Sequence, residues 1–210
     1  MKKIALFALA AALSSWTAYG STINVSTGIA SWSVQEMNGS TGPAQVVTPT
    51  DADWWGAPGS GWVANDANSD WIARDANNPF NGLGPYTFTT TFDLTGANLS
   101  QESLTGSWAA DDSGVLALNG NTIATLTRTP GMYPGPWISL TPFSASSSML
   151  LNGINTLTIT LSTDNGWDGV RLQGTVGPPS TMTPEPATWM LLGIGAAGLM
   201  LFAGLRKRTS

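Results

Sequence analysis

The sequence contains no histidine and no cysteine. Their absence excludes a thiol nucleophile, a Ser-His-Asp triad, a zinc site built on Cys or His, and an iron–sulfur centre. Acid–base chemistry would then depend on carboxyl groups. The adjacent Asp111 and Asp112 are expected to point to opposite faces of an extended strand, so they do not predict a catalytic carboxylate pair. The sequence therefore predicts a protein that is not an enzyme.

Charged residues are also scarce, at 10% of the 210 residues. Between Ser21 and Thr183 there are 12 acidic and 3 basic residues and no lysine, which gives this part of the chain a net charge of −9. A surface of that sign repels phosphate backbones, so we expect no nucleic-acid partner. With 42% hydrophobic residues, the chain is long enough for about one domain with its own core.

Long apolar runs occur near both ends of the sequence. Two lysines precede the apolar residues 4–13, and the small residues Ala18 and Gly20 stand three positions and one position before a cut at Ser21. This order is typical of a secretory signal peptide, which we predict at residues 1–20. The prediction places the rest of the chain outside the cytoplasm.

The second apolar run, residues 187–205, contains no charge. As a helix it would be about 28 Å long, close to the thickness of the hydrocarbon core of a bilayer. The basic residues Arg206, Lys207 and Arg208 follow it directly. Because basic flanks stay on the cytoplasmic side, the run predicts a transmembrane helix with the preceding chain outside.

A Pro-Glu-Pro sequence, Pro184, Glu185 and Pro186, stands immediately before this helix. The two prolines favour an extended backbone that presents Glu185 between them. The order of Pro-Glu-Pro, one spanning helix and a basic tail resembles the PEP-CTERM protein-sorting signal of Gram-negative bacteria, which would cover residues 184–210. The resemblance implies a membrane-inserted intermediate, cleavage near the motif by an exosortase, and transfer to the cell surface or extracellular matrix.

The residues between the two signals predict strands. In residues 86–94 the apolar and aromatic side chains alternate with threonine and aspartate, which is the pattern of a half-buried strand. Asn119-Gly120 predicts a tight two-residue hairpin turn. Further strands are predicted at residues 104–110, 115–118, 122–126, 156–161 and 170–176, with less regular ones at 22–25 and 29–34. Closely spaced strands without helices between them favour an antiparallel sandwich.

Two segments resemble motifs of galactose-binding-like jelly rolls. Residues 110–121, with Asp-Asp followed by Leu-Asn-Gly, resemble a hairpin of that family, and residues 151–159 resemble its penultimate strand, with Gly-x-Asn-x-Leu-x-Ile. The resemblance implies an all-β, antiparallel jelly-roll β-sandwich over residues 21–177, followed by a linker at 178–183. Both motifs are structural, and a shared fold does not determine function.

A tryptophan-rich segment, residues 51–84, interrupts the strand pattern. Trp54, Trp55, Trp62 and Trp71 alternate there with aspartate and asparagine. Indole rings stack on sugar rings while neighbouring polar groups bind hydroxyls, so these four residues are the candidate carbohydrate-binding residues. The alternative is that they pack at the end of the sandwich as core.

The same segment carries acids at alternate positions. Asp66, Asn68 and Asp70 are spaced like the oxygen ligands of a calcium loop, although the glycine and glutamate that an EF-hand requires are missing. Asp164 or Asp168 is a second candidate ligand. A structural calcium ion is therefore the one cofactor that the sequence leaves open, against the alternative of solvated surface acids.

The sequence as a whole predicts an exported, non-catalytic protein of the cell surface or the exopolysaccharide matrix, with an exosortase as its processing partner. The alternative is a carbohydrate-binding module that uses the tryptophan-rich segment, and a third is an extracellular glycosidase built on unpaired acids. The sorting segment is specific as a combination of features, whereas no catalytic group of residues is evident.

Overall fold

The computed structural model describes residues 22–47, 61–76, 84–129, 135–162 and 167–178. All of them lie in one compact unit, Met1–Pro178. The predicted signal peptide, the whole sorting segment with its basic tail, Trp54, Trp55 and Asp164 lie outside the described residues. No helix within the described ranges is both long and apolar enough to cross a membrane.

The described residues form twelve strands and two short 3-10 turns, Leu99–Gln101 and Ser147–Met149. In chain order the strands are β1 (Ile23–Asn24), β2 (Ser33–Gln35), β3 (Thr41–Pro43), β4 (Gln45–Val47), β5 (Trp71–Ala73), β6 (Tyr86–Asp93), β7 (Ser103–Asp111), β8 (Ser113–Leu118), β9 (Asn121–Leu126), β10 (Thr141–Ala145), β11 (Ile154–Ser162) and β12 (Gly169–Gly177). The six strands predicted between residues 86 and 176 are confirmed, each to within two residues at either end.

The strands build two antiparallel sheets. Sheet A has the order β10-β7-β12-β5-β4, with β1 paired to β12, and sheet B has the order β3-β2-β6-β11-β8-β9. Every strand pair is antiparallel. No α-helix occurs among the residues that the structure describes. The protein is therefore an antiparallel β-sandwich, as the sequence predicted.

The main core lies between the two sheets. In β6 the four side chains at even positions, Tyr86, Phe88, Thr90 and Phe92, are buried, while the three threonines at odd positions face outward. Leu157 and Ile159 of β11 alternate in the same way. Each side chain of this size contributes about 1.5–3 kcal/mol when it leaves water. The period-two pattern therefore has its physical cause in this core.

A two-residue turn joins β8 to β9, as predicted. Leu118 pairs with Asn121, and Asn119 and Gly120 between them have φ values of 52° and 79°. Positive φ at both central residues is the geometry that matches the twist of a hairpin, and it explains the Asn-Gly pair. The hairpin motif therefore forms the turn that the sequence indicated.

The two resemblance motifs meet in a buried hydrogen-bond network. The Asn119 side-chain amide donates to the Asn155 side-chain oxygen over 2.9 Å, and Asn155 is fully buried. Asn155 also accepts from the Leu151 N–H and donates to the carbonyls of Leu151 and Gly153. Asn119 in turn accepts from the Thr156 N–H and donates to the Met149 carbonyl. These bonds join the β8–β9 turn to the start of β11.

Four strands differ from the sequence prediction. Strands β3, β4 and β10 were not predicted, and β5 lies within the segment that was expected to be a loop. Strands β3 and β4 have only three residues each, and all three residues of β5 are buried, so neither length nor alternation marks them. The strand predicted at residues 29–34 is reduced to β2, because residues 26–30 form a turn with the Ala30 N–H bonded to the Ser26 carbonyl.

The outermost strands of both sheets carry features that weaken further pairing. In sheet B, β3 contains Pro43, and the pairing of β9 with β8 shifts register between Leu116 and Ala117. In sheet A, β10 contains Pro142 and β4 has three residues. A proline removes one N–H donor from an edge, and a register shift bends it.

Candidate functional site

Several strand ends meet at one end of the sandwich. Strand β7 ends at Asp111, which is paired with Gly169 at the start of β12, and β8 begins beside it at Ser113. A second hydrophobic core, built around three tryptophans, lies here. We refer to Trp62, Trp71, Asp111, Asp112, Arg128 and Trp137 as the tryptophan–aspartate cluster.

Two of the candidate carbohydrate residues, Trp62 and Trp71, belong to this core. Their ring centroids are 4.1 Å apart at an interplanar angle of 27°, so the rings are stacked on each other. Trp62 is 6% exposed and Trp71 is fully buried. The Trp71 Nε1–H donates to the Val63 carbonyl over 2.6 Å. Both rings therefore pack inside the protein, and an exposed stacking surface has to come from other residues.

The structure places Asp111 and Asp112 in contact. The two buried carboxyl groups are hydrogen-bonded to each other, although adjacent strand residues were expected to face opposite ways. The expectation does not apply, because β7 ends at Asp111 and Asp112 lies between β7 and β8. Burial, followed by the hydrogen bond that Asp111 donates to Asp112, raises the pKa of Asp111 to about 9. Asp111 is therefore protonated at neutral pH.

Each partner of this pair has a further contact. The Trp62 Nε1–H donates to Asp111 Oδ2 over 2.6 Å. Asp112 Oδ1 accepts from Arg128 Nη1 over 2.8 Å, and the Arg128 guanidinium carbon lies 5.5 Å from the centroid of the Trp137 ring. The second contact is a cation–π interaction. One proton and one arginine thus neutralise two buried carboxyl groups, which leaves a nearly uncharged group of side chains.

A glycine keeps space for the Trp62 ring in this cluster. A Cβ added at Gly169 would collide with the Trp62 ring, so the strand can approach the indole this closely only without a side chain. Asp168, the neighbouring residue and a candidate calcium ligand, is 3% exposed. Within the described ranges, no group of three or more His, Cys, Asp or Glu side chains is placed to hold a metal ion.

A buried arginine organises the loop before β5. Arg171 of β12 is 1% exposed, and its Nε donates to Ser69 Oγ over 2.9 Å while its Nη1 donates to the Ala64 carbonyl. Its Nη2 lies 2.8 Å from Asp66 Oδ2. The other oxygen, Asp66 Oδ1, accepts the backbone N–H groups of Asn68 and Ser69. The backbone bond from Asn68 is the main cause that lowers the pKa of Asp66, and Arg171 adds to it.

These contacts involve the predicted calcium-loop residues. Both oxygens of Asp66 already have partners, and the positive charge beside them belongs to Arg171. The Asp70 N–H donates to the Thr27 carbonyl, and the Asp70 carbonyl accepts from the Thr27 hydroxyl. The Asp70 carboxylate lies so close to Gly28 that a Cβ added there would collide with it. Asn68 contributes its backbone N–H to Asp66. Asp66, Asn68 and Asp70 therefore belong to a loop that is organised around Arg171.

We expect the variant Arg171→Met to lower the free energy of unfolding by about 2–4 kcal/mol, because it removes three bonds made by a buried cation while keeping an apolar stem. Arg74→Met is the matched control. Arg74 pairs with Glu36 over 3.3 Å at the surface, and such pairs contribute about 0–1 kcal/mol. Urea unfolding followed by tryptophan fluorescence measures both changes. Equal losses for the two variants would contradict the assigned role of Arg171.

The sequence prediction did not identify the arginines as organising residues. Arg74, Arg128 and Arg171 are the only basic residues between Ser21 and Thr183, and each of them forms an ion pair with an acid. The only indication of this role in the sequence was that basic residues are so rare in this acidic part of the chain. Which acid each one meets depends on long-range contacts, since Arg171 and Asp66 are far apart in sequence.

The fold is similar to domains of known carbohydrate-active proteins. A β-glucuronidase from an uncultured Clostridium sp. is 13% identical, with a TM-score of 0.42, and the match covers 78% of this chain and 30% of that one. A family 35 carbohydrate binding module from Clostridium thermocellum is 12% identical, with a TM-score of 0.35, and the match covers 76% and 100%. The CBM36-1 domain of a multidomain xylanase from the hindgut metagenome of Trinervitermes trinervoides is 12% identical, with a TM-score of 0.34, and the match covers 71% and 98%.

These similarities are too low to bear on function. The chain spans between 16% and 30% of the length of the mannosidase and glucuronidases that it resembles. No curated protein matches the chain in sequence.

The sorting segment gives the specific match. Residues 183–208 match the model of the PEP-CTERM protein-sorting motif, which confirms the resemblance seen in the sequence. Its Pro-Glu-Pro residues, apolar run and basic tail all fall inside the matched range. The chain therefore carries an exosortase sorting signal, which indicates an exported protein that is sorted at a membrane.

Proposed function

We propose that the protein is a non-catalytic component of the cell surface or the exopolysaccharide matrix of a Gram-negative bacterium. The observation that carries the proposal is the match of residues 183–208 to the PEP-CTERM motif. Support comes from the tryptophan–aspartate cluster, whose two carboxyl groups are buried and paired with Trp62 and Arg128. These contacts hold both carboxyl groups within the fold, which supports a structural role for the pair.

In this proposal the sorting segment holds the chain in the membrane first, and the sandwich functions only after it has been released. Residues 187–205 hold the exported chain in the inner membrane with Arg206, Lys207 and Arg208 on the cytoplasmic side. Pro184, Glu185 and Pro186 then stand at the outer surface, where a membrane-embedded exosortase reaches them. Cleavage releases the sandwich to the surface or the matrix.

We expect Glu185→Ala to reduce the released form at least tenfold and to leave the full-length chain in the membrane fraction, because Glu185 lies outside the apolar span and is not needed for insertion. Ser180→Ala, five residues earlier, is the control and should be released like the wild type. Fractionation with immunoblotting measures release, and mass spectrometry identifies the C-terminus of the surface form. Unchanged release of Glu185→Ala, or residues 187–210 still attached at the surface, would overturn the proposal.

The alternative function is a carbohydrate-binding module. Because Trp62 and Trp71 pack in the core, this alternative depends on Trp54 and Trp55. The chain on either side of these two residues is fixed. Val47 is paired with Trp71, and Trp62 is bonded to Asp111.

A further inference from the structure

The outward side of sheet B carries an unusual set of side chains. It consists of Thr41, Thr87, Thr89, Thr91, Thr122, Thr125, Thr156, Thr158, Thr160, Ser33, Gln35, Pro43, Val115 and Ala117. All of them are exposed or half-buried, whereas most alternate residues of the longer strands, such as Phe88 and Ile159, are buried. We call this surface the threonine face.

Strand register arranges the threonines in rows across the sheet. Thr89 is paired with Thr158, Thr87 with Thr160, and Thr91 with Thr156. Neighbouring strands in a sheet are about 4.8 Å apart, and side chains on one face repeat about every 6.8 Å along a strand. The threonine face therefore presents hydroxyl and methyl groups on a regular grid.

No side chain of the threonine face is charged. The nearest charge on the outward side of β6 is Asp93, which is paired with Ile154 beyond the last threonine row. By contrast, the chain between Ser21 and Thr183 has a net charge of −9. A face without cations has no means of attracting an anionic polymer or an anionic lipid surface, and the surrounding charge repels both.

The groups on this face match a neutral polymer that is rich in hydroxyls. A threonine hydroxyl both donates and accepts a hydrogen bond, as a sugar hydroxyl does, and its methyl group packs against the C–H groups of a sugar ring. A protein partner would be expected to meet aromatic or arginine anchor residues, and the face contains neither. Its chemistry therefore favours an extended neutral polysaccharide.

We propose that the threonine face binds an extended, uncharged polysaccharide and so holds the sorted protein in its matrix. The proposal rests on the proposed function, because it supplies the contact that a matrix protein needs. It is independent of the tryptophan-rich segment, since every residue that it uses lies on the six strands of sheet B.

Affinity electrophoresis of the purified full chain in mild detergent tests this proposal. The probes are hydroxyethyl cellulose, mixed-linkage β-glucan and dextran as neutral polymers, with alginate as the anionic polymer. We expect at least one neutral polymer to retard the wild type and alginate to leave it unchanged. The paired change Thr89→Glu with Thr158→Glu should weaken that binding at least tenfold, because it places two charges at the centre of the face.

The matched control is Thr105→Glu with Thr175→Glu. These exposed threonines are also paired in register, but they lie on sheet A, so the control carries the same charge and should bind like the wild type. Thr89→Val with Thr158→Val keeps the shape and β-branching while it removes two hydroxyls, and it should weaken binding even if the glutamate variant fails to fold. Thermal unfolding followed by circular dichroism reports folding.

Three results would overturn the proposal. In the first, no neutral polymer retards the wild type. In the second, the two glutamate variants bind equally well. In the third, the Thr89 and Thr158 variants lose self-association and not polysaccharide binding, which would assign the face to a second copy of the chain. Sorting is measured separately by the release of the Glu185→Ala variant. Absence of polysaccharide binding together with the expected block of Glu185→Ala release removes this proposal alone, and unchanged release of Glu185→Ala together with intact polysaccharide binding removes the proposed function alone.

Discussion

Replacing Asn155 by alanine is expected to lower the free energy of unfolding by about 3–5 kcal/mol, because buried polar partners left unsatisfied cost about 1–3 kcal/mol each. Asn155 is fully buried and makes four hydrogen bonds, two with the backbone of Leu151, one with the Gly153 carbonyl and one with the Asn119 amide. No small apolar side chain replaces any of them. In a domain of this size such a loss lowers the melting temperature by about 10 °C.

Two further variants separate the network from general disruption. Asn155→Asp keeps the shape of the side chain but loses both amide donors, so we expect a loss as large as that of alanine. Asn152→Ala is the control. Asn152 is exposed and only accepts from the Gly96 N–H, over 3.1 Å, and its loss should be below about 1 kcal/mol. Urea unfolding followed by tryptophan fluorescence measures all three, and a similar loss for Asn152→Ala would contradict the network.

Replacing Asp111 by asparagine is expected to stabilise the protein at neutral and alkaline pH. The folded protein holds the pKa of Asp111 at about 9, against 3.8 for the ordinary group, so folding requires a protonated carboxyl. The contribution of Asp111 to stability is complete below pH 3.8 and is lost as the pH rises towards 9. The loss reaches on the order of 4 kcal/mol by pH 7, since each pKa unit corresponds to about 1.4 kcal/mol.

Asparagine reproduces the protonated state of Asp111. Its side-chain oxygen accepts from the Trp62 Nε1–H, and its amide donates to Asp112, which keeps its ion pair with Arg128. The nearby acid Asp168, just before Gly169, is unchanged. Wild type and variant should therefore be equally stable at pH 4, and the variant should be several kcal/mol more stable at pH 8.

Denaturant unfolding at intervals between pH 4 and pH 9 measures this difference. Asp112→Asn serves as the control, because it removes the partner of Arg128 and should destabilise the protein over the whole range. Parallel stability curves for the wild type and Asp111→Asn would show that Asp111 is ionised in the folded protein.

The long strands were predictable from sequence because each of them has one buried face. In β6 and β11 the alternation of large apolar residues with threonine follows directly from a sheet with solvent on one side. The Asn119-Gly120 turn was predictable as well, since few other residue pairs tolerate positive φ at both positions. Strand β5 was not, because Trp71, Ile72 and Ala73 are all buried and show no period.

The candidate site was harder to predict, because its contacts join distant parts of the chain. The sequence motifs marked Asn119 and Asn155, but only the pairing of Leu118 with Leu157 brings them together. Strand alternation gave the wrong orientation for Asp111 and Asp112, because the strand ends between them. The tryptophans at positions 62 and 71 were marked by composition, which does not distinguish a binding surface from a core.

The outermost strands have a consequence for crowded conditions. An open sheet edge accepts a strand from a neighbouring molecule, and this is a common first step of aggregation. Here Pro43 removes an N–H donor from β3, and Pro142 removes one from β10. The register shift at Leu116 and Ala117 distorts the pairing of the outermost strand β9 with β8, and β4 is only three residues long. Many copies of this domain can therefore lie side by side without their sheets fusing into a continuous one.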